Sequence, residues 1–382
     1  LKPVEIFAKL EKRTRPLFAA LPPQLAAYLF STGRRFFIDV FINTEPKKIH
    51  LPEVLKRKCW NIDFQSPLMN AAGMFKNGLG YSIAVNSGSG AFLAGTSTSR
   101  QRDGNCKLSI LHPFAAFPKS AASLNWMGLP NEGNIAMAKI LSEIEKQPGC
   151  PIGASIAASP DVQPDIALIE LIEGLKLFDK AGVDFIEINE SCPNVAHDYD
   201  IDRATGLDKA LLCRLEAVSD GFLKKRKRNL PVILKLSNDT DESLVKNMLE
   251  TAVALDFDGI NFGNTSTRYG EVLQEIKPEE RRLFDYFSST FGGGISGKPL
   301  KASSANLCRK AAAAIEAIRP NKEFHLIRTG GISSAKDLLE SDECGASLSQ
   351  WFTGFFERFS IDGFSLYENL FNSFVDLKEA KH

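Results

Sequence analysis

Residues able to do chemistry gather just past the ends of short apolar runs. The motif N-E-S-C-P-N occupies 189–194 and sets Cys192 among Asn189, Ser191 and Asn194, directly before a proline. A lone cysteine is more often a small buried hydrophobe, but a core does not tolerate so many unpaired polar neighbours. Cys192 is therefore read as a functional thiol at a strand-to-loop turn. The run P-V-I-L-K-L-S at 231–237 carries Lys235 inside apolar residues. An ammonium there either snorkels past the strand end or faces an anion or electron-rich ligand, and the second reading is preferred. A third run ends in N-F-G-N-T-S-T at 261–267, a row of amides and hydroxyls. Two glycine-rich loops follow, G-G-G-I-S-G-K-P at 292–299 and T-G-G-I-S at 329–333. Exposed backbone amides beside a helix start suit a phosphate, and the end of the last run, Phe352 and Thr353, converges with them. The five histidines are scattered without zinc-like spacing, so no metal is expected. Amides, a lysine and no metal triad point to an organic cofactor bearing a phosphate.

These residues must be brought together by repeated strand–helix units. Strands are predicted at 68–72, 91–95, 152–157, 183–189, 232–236, 259–262, 324–328 and 347–350, several followed by amphipathic helices such as 166–181 and 244–255. Eight parallel strands with intervening helices predict an α/β fold, a (β/α)8 TIM barrel whose strand C-terminal ends form the site. No G-x-G-x-x-G follows the first strand, which argues against a dinucleotide-binding open sheet. Two stretches, 104–150 and 265–300, interrupt the rhythm and are expected to be functional or to carry small inserted strands.

The chain has 382 residues, 44% of them apolar and 24% charged, which excludes disordered and low-complexity classes. Lys+Arg and Asp+Glu both total 46, so no basic field exists to hold a nucleic acid. Seven unpaired-looking cysteines fit a reducing compartment. Residues 1–45 are predicted as two helices, one through Val4, Phe7, Ala8 and Leu10, the next starting at Pro22–Pro23 with Leu25, Tyr28 and Leu29 on one face. They divide the chain into an N-terminal helical extension, 1–45, and the barrel, 46–382. Arg13, Arg15, Arg34 and Arg35 flank these apolar stretches, so the extension either packs on the barrel or forms a membrane-surface or apolar-ligand module.

In combination the motifs resemble the dihydroorotate dehydrogenases, flavoenzymes on a (β/α)8 barrel. The resemblance covers about 66–356 and rests on N-A-A-G-M-F-K-N-G at 70–78, A-G-T-S-T at 94–98, N-W-M-G-L-P-N at 125–131, N-E-S-C-P-N at 189–194, the Lys235 strand, G-N-T at 263–265, S-G-K-P-L at 296–300 and T-G-G-I at 329–332. It implies oxidation of dihydroorotate to orotate with FMN, in pyrimidine biosynthesis. By resemblance, Ala72, Gly73, Thr96, Ser155, Asn189, Lys235, Gly263, Gly297, Gly330, Gly331, Phe352 and Thr353 hold FMN. Lys76, Asn125, Met127, Gly128, Leu129, Asn189, Asn194, Asn264 and Thr265 hold the substrate, and Cys192 is the general base. A related FMN-dependent dihydropyrimidine or dihydrouridine oxidoreductase and a catalytically dead binding barrel are the weaker alternatives. The segment 195–206 is expected to close over substrate as a lid.

Two branches of the family are mixed. Cys192 and M-G-L-P-N resemble the soluble branch, which passes electrons to fumarate or an NAD-linked partner. Lys76, S-G-K-P-L and the N-terminal helices resemble the membrane-associated branch. A quinone is the favoured acceptor, with fumarate or a soluble partner as the alternative. The expected location is the cytoplasmic side, with peripheral membrane contact through residues 1–45 as the sharper reading. Arg328 stands where the family usually has glycine, and Glu190 where it has an apolar residue.

Overall fold

The computed structural model describes residues 2–190 and 205–381. Eight parallel strands occupy the predicted places: β1 (Leu68–Asn70), β2 (Phe92–Ser97), β3 (Ile152–Ile156), β4 (Phe185–Asn189), β5 (Val232–Leu236), β6 (Gly259–Phe262), β7 (His325–Thr329) and β8 (Leu348–Trp351). They pair in the order β1-β8-β7-β6-β5-β4-β3-β2. The Asn70 side chain closes the ring by bonding both the carbonyl and the amide of Leu93, at 2.7 and 3.1 Å. Strand β5 is buried at every position, as expected where helices cover one face and the barrel interior the other. The helix Pro164–Lys180 shows the complementary logic. Proline supplies its first turn, and Leu171, Gly174, Leu175 and Phe178 recur on the buried face.

Alternate residues of each strand point inward and stack in layers. The lower layer is apolar: Phe185, Ile233, Ile327 and Leu348 pack with Trp60 and Phe64. These two aromatics come from the antiparallel hairpin Arg57–Cys59/Ile62–Phe64, which plugs the barrel floor. Two residues further along each strand lie Glu187, Lys235, Thr329 and Gln350, joined by Asn261 of β6, all buried. The barrel therefore changes from hydrocarbon to polar in one step, just below its C-terminal mouth.

The two interruptions meet each other. Phe114–Phe117 pairs with Ala122–Asn125, which in turn pairs with Gly294–Gly297, forming one antiparallel sheet beside the mouth. Two N-terminal helices, α1 (Pro3–Ala19) and α2 (Pro23–Ile42), lie against this sheet and the helix Thr353–Asp362. The packed face of α2 differs from the expected one. Leu25 and Tyr28 are exposed, whereas Ala26, Ala27, Phe30, Ser31 and Phe41 are buried. Small Ala26 and Ala27 permit the close approach that lets the Ser31 hydroxyl accept from the Phe114 amide at 2.9 Å. Phe41 then enters the main core against Phe355 and Phe359. Among the described residues no helix is long and apolar enough to cross a membrane.

Candidate active site

A cleft open to solvent lies at the C-terminal mouth, where barrels place their ligand sites. Its wall includes Ala72, Gly73, Lys76, Thr96, Asn125, Met127, Leu129, Asn189, Lys235, Gly263, Asn264, Thr265, Gly297, Gly330, Gly331, Phe352 and Thr353. Sequence separations of up to 281 positions, from Ala72 to Thr353, are thus collapsed into one wall by the barrel's closure. Gly128 stands between two wall residues without lining the cleft itself. Ser155 is fully buried behind the wall, and its hydroxyl meets Thr96 Oγ1 at 2.9 Å. Cys192 and Asn194 lie outside the described residues, as do positions 195–204 of the expected lid.

One side of the cleft is a relay of short polar groups. Asn264 Nδ2 donates to Asn189 Oδ1 at 2.9 Å, Asn189 Nδ2 donates to Thr96 Oγ1 at 3.1 Å, and Thr96 meets Ser155. The Thr265 amide donates to Asn264 Oδ1 at 2.9 Å, which fixes Asn264 and through it Asn189, so the row presents a defined donor–acceptor pattern to a ligand. Across the cleft, Lys76 Nζ approaches Met127 Sδ at 3.5 Å.

The opposite end is built from backbone. Gly331 has φ +73°, and a Cβ there would come within 2.5 Å of Lys301 Cα; at Gly297, φ +100°, it would strike the Ala121 carbonyl. Only glycine lets these loops pack so closely at the cleft wall. Arg328 braces this loop from behind. It is fully buried, donates from Nε to Ser304 Oγ at 3.2 Å and from Nη2 to the Lys301 carbonyl at 3.0 Å, and pairs with Glu340 at 3.3 Å. Ser304 in turn donates to the Gly330 carbonyl at 2.8 Å. Arginine in place of glycine therefore supports the cradle without entering it. Glu190 has an equally local cause: its carboxylate pairs with Arg214 at 2.9 Å, outside the barrel.

The anion expected to face Lys235 is Glu187, at 3.1 Å. Sequence reading missed it, although a carboxylate inside F-I-E-I-N at 185–189 was as anomalous as a lysine inside V-I-L-K-L. Gln350 also lines the cleft unforeseen, its polar side chain at an inward strand position being the available signal, while Thr329 and Ser296 line it from the two glycine-rich motifs.

A second cavity runs between α1, α2 and the barrel, walled by Phe7, Phe18, Leu29, Phe36, Phe37 and Val40 among others. It shares Phe352 and Thr353 with the cleft. Arg34 projects into it, its guanidinium 5.6 Å from the Phe114 ring centre and 5.9 Å from that of Phe352. Enclosure by protein desolvates this group and lowers its pKa to about 10. Among the described residues no carboxylate pairs with it. Arg15 differs: burial opposes its charge, but Glu11 and Glu357 outweigh that and raise its pKa.

Fold and cleft together define an α/β-barrel enzyme with an amide-lined site, a glycine cradle and an apolar side cavity. The family model for dihydroorotate dehydrogenase matches residues 54–362. The chain belongs to the dihydroorotate dehydrogenase family. It is 30% identical over 318 residues to dihydroorotate dehydrogenase (quinone) of Kineococcus radiotolerans, covering 82% of this chain and 79% of that one. To the enzyme of the same name from Synechococcus sp. (strain JA-2-3B'a(2-13)) it is 28% identical over 299 residues, covering 77% and 74%. The fold is similar to that of DHODH from Eimeria tenella in complex with ferulenol, with TM-score 0.69, 19% identity and coverage of 94% and 92%.

Proposed function

We propose that this protein oxidises dihydroorotate to orotate with FMN and passes the electrons to a quinone. The observation that carries the reading is the meeting of two unlike spaces at Phe352 and Thr353, a polar cleft and an apolar cavity. A polar acid and a lipid-soluble acceptor require such different walls.

The residues present fit FMN. The cradle at Gly297, Gly330 and Gly331 lines the cleft with backbone that has no room for a Cβ, and its amides would hold the phosphate. Ala72 and Gly73 would approach by backbone, Thr96 by its hydroxyl, and Phe352 and Thr353 would border the phosphate end. Ser155 would act by holding Thr96. Lys235 would place positive charge where the reduced ring system gathers negative charge. When bound, FMN supplies the acceptor for the hydride that leaves C6 of the substrate.

The chain's own part is to orient the substrate and remove its C5 proton. Asn125, Asn189, Asn194, Asn264 and Thr265 would read the carbonyl and N–H pattern of the ring. A site of committed amides rejects rings that lack that pattern, because its own groups would be left unpaired. Lys76, beside Met127, Gly128 and Leu129, would neutralise the carboxylate. Cys192 would take the C5 proton, a role supported by its place in N-E-S-C-P-N. Arg34, a cation that no carboxylate among the described residues pairs with, would donate hydrogen bonds to the quinone carbonyl.

The test is steady-state turnover with a short-chain quinone, fumarate or NAD as sole acceptor, in wild type and Arg34→Met. Quinone should support the highest rate. A hydrogen bond from a charged group contributes about 1.5–3 kcal/mol, so Arg34→Met should raise the quinone KM roughly 10–100-fold and leave flavin reduction by dihydroorotate unchanged. Faster turnover with fumarate or NAD would sink the quinone reading, and a colourless purified protein would sink FMN.

A further inference from the structure

Glu187 is a buried charge that neither proton removal nor substrate binding uses. Its carboxylate lies inside the barrel, one layer beneath the cleft, and every described group hydrogen-bonded to it is a donor. Lys235 Nζ reaches Oε1 at 3.1 Å, Gln350 Nε2 reaches Oε2 at 2.7 Å, and Asn261 Nδ2 reaches Oε2 at 3.2 Å. The orientation of Gln350 is settled by chemistry: its Oε1 faces the Lys235 ammonium at 3.2 Å, and an ammonium can only donate. Its Nε2 must then face Glu187. Among the described residues three donors and no acceptor meet this side chain. Lys235 in turn spends two of its three hydrogens on Glu187 and Gln350 and borders the cleft with the remainder. What the barrel offers the cleft floor is thus the end of an ion pair, whose field falls off faster than that of a lone cation.

We propose that Glu187 is a positioning residue for Lys235, which holds the ammonium at the cleft floor and offsets the positive charge it presents to the flavin. The inference rests on the FMN reading above. A cation beside a group that becomes negative on reduction raises its potential, and a carboxylate on the far side of that cation lowers it again. Glu187 therefore keeps the flavin a weaker oxidant than the lysine alone would make it, which favours onward transfer of the electrons to the acceptor.

The experiment is the midpoint potential of protein-bound FMN, measured spectroelectrochemically in wild type, Glu187→Gln and Glu187→Asp. Glutamine keeps the shape and removes the charge. Its potential should rise by at least tenfold in the two-electron reduction equilibrium, about 30 mV. Aspartate keeps the charge but withdraws it by one methylene, and its potential should fall between the other two. A carboxylate that only filled space would leave the potential where it was, so an unchanged or lower value in Glu187→Gln overturns the proposal. If that variant does not retain flavin, Glu187→Asp decides: an upward shift supports the proposal and any other result overturns it. Absence of flavin from the wild-type protein overturns the underlying reading as well, and is told apart by the missing visible spectrum.

Discussion

A general base contributes about 10²–10⁴-fold to rate when it stands within reach of the proton it takes. On the proposed assignment Cys192→Ala loses that step alone. Its flavin reduction by dihydroorotate should slow by at least ~10²-fold in single-turnover mixing, with FMN and orotate binding close to wild type. Near-normal reduction would remove Cys192 from the mechanism. The same scale explains two residues that depart from the family pattern. Glu190 is neutralised by Arg214, and Arg328 is consumed by Ser304, Lys301 and Glu340. Neither charge is left to disturb the cleft.

At the scale of elements, the glycine cradle depends on the helix that follows it, Ala335–Glu343. Ser334 caps this helix, and Asp337 returns the bond, accepting from Ser334 Oγ at 2.8 Å and from the Ser333 amide at 3.0 Å. Asp337 also pairs with Lys301, whose helix underlies Gly331, at 2.5 Å. Burial alone would raise the Asp337 pKa, but Lys301, Ser334 and the Ser333 amide outweigh it and hold it below the usual 3.8. The sign follows from linkage. A carboxyl with a depressed folded-state pKa contributes stability that is complete above its unfolded value and is lost as pH falls through the folded one. Asp337→Asn should therefore destabilise by about 1 kcal/mol near neutral pH, the scale of a lost cap. The difference from wild type should shrink below pH 3.8. Urea unfolding of both proteins at several pH values measures it, and a gap that stays constant into acid would refute the assignment.

For the whole molecule, the proposed quinone acceptor would require the barrel to meet a lipid phase. The helices α1 and α2 bury Phe41 in the main core, yet they leave Leu10, Leu17 and Phe36 more than half exposed. A chain shortened to start near Glu45 would uncover Phe355 and Phe359, so point changes are the sharper probe. Each Leu carried from water into an apolar phase contributes about 1.5–3 kcal/mol, enough together for weak, reversible attachment at the membrane surface. Leu10→Glu with Leu17→Glu should cut sedimentation with anionic vesicles by at least roughly tenfold, while turnover with a water-soluble short-chain quinone stays within about twofold. Equal sedimentation of both proteins would count against attachment through this face.

Local order was legible in the residues themselves. Continuous apolar runs mark parallel strands buried on both faces, so all eight strands were placed, and the turn residues after them marked the polar end of the barrel. Asn189, Lys235, Asn264, Gly330, Gly331, Phe352 and Thr353 followed, because residues just past strand C-terminal ends have one place to go once a barrel closes, whereas Ala72, Gly73, Lys76, Thr96, Asn125, Met127 and Leu129 came from the family resemblance. What joins residues across the barrel was not legible. The Glu187–Lys235 pair spans 48 positions and the Ser123–Ser296 contact of the inserted sheet 173. The Arg34 cavity requires α2 to turn its alanines, not Leu25 and Tyr28, toward the barrel. Periodicity is written in neighbouring residues and survives in one dimension. Which inward side chain meets which, and which helix face is hidden, depends on strand register and on the distance of approach, and these exist only once the chain has closed on itself.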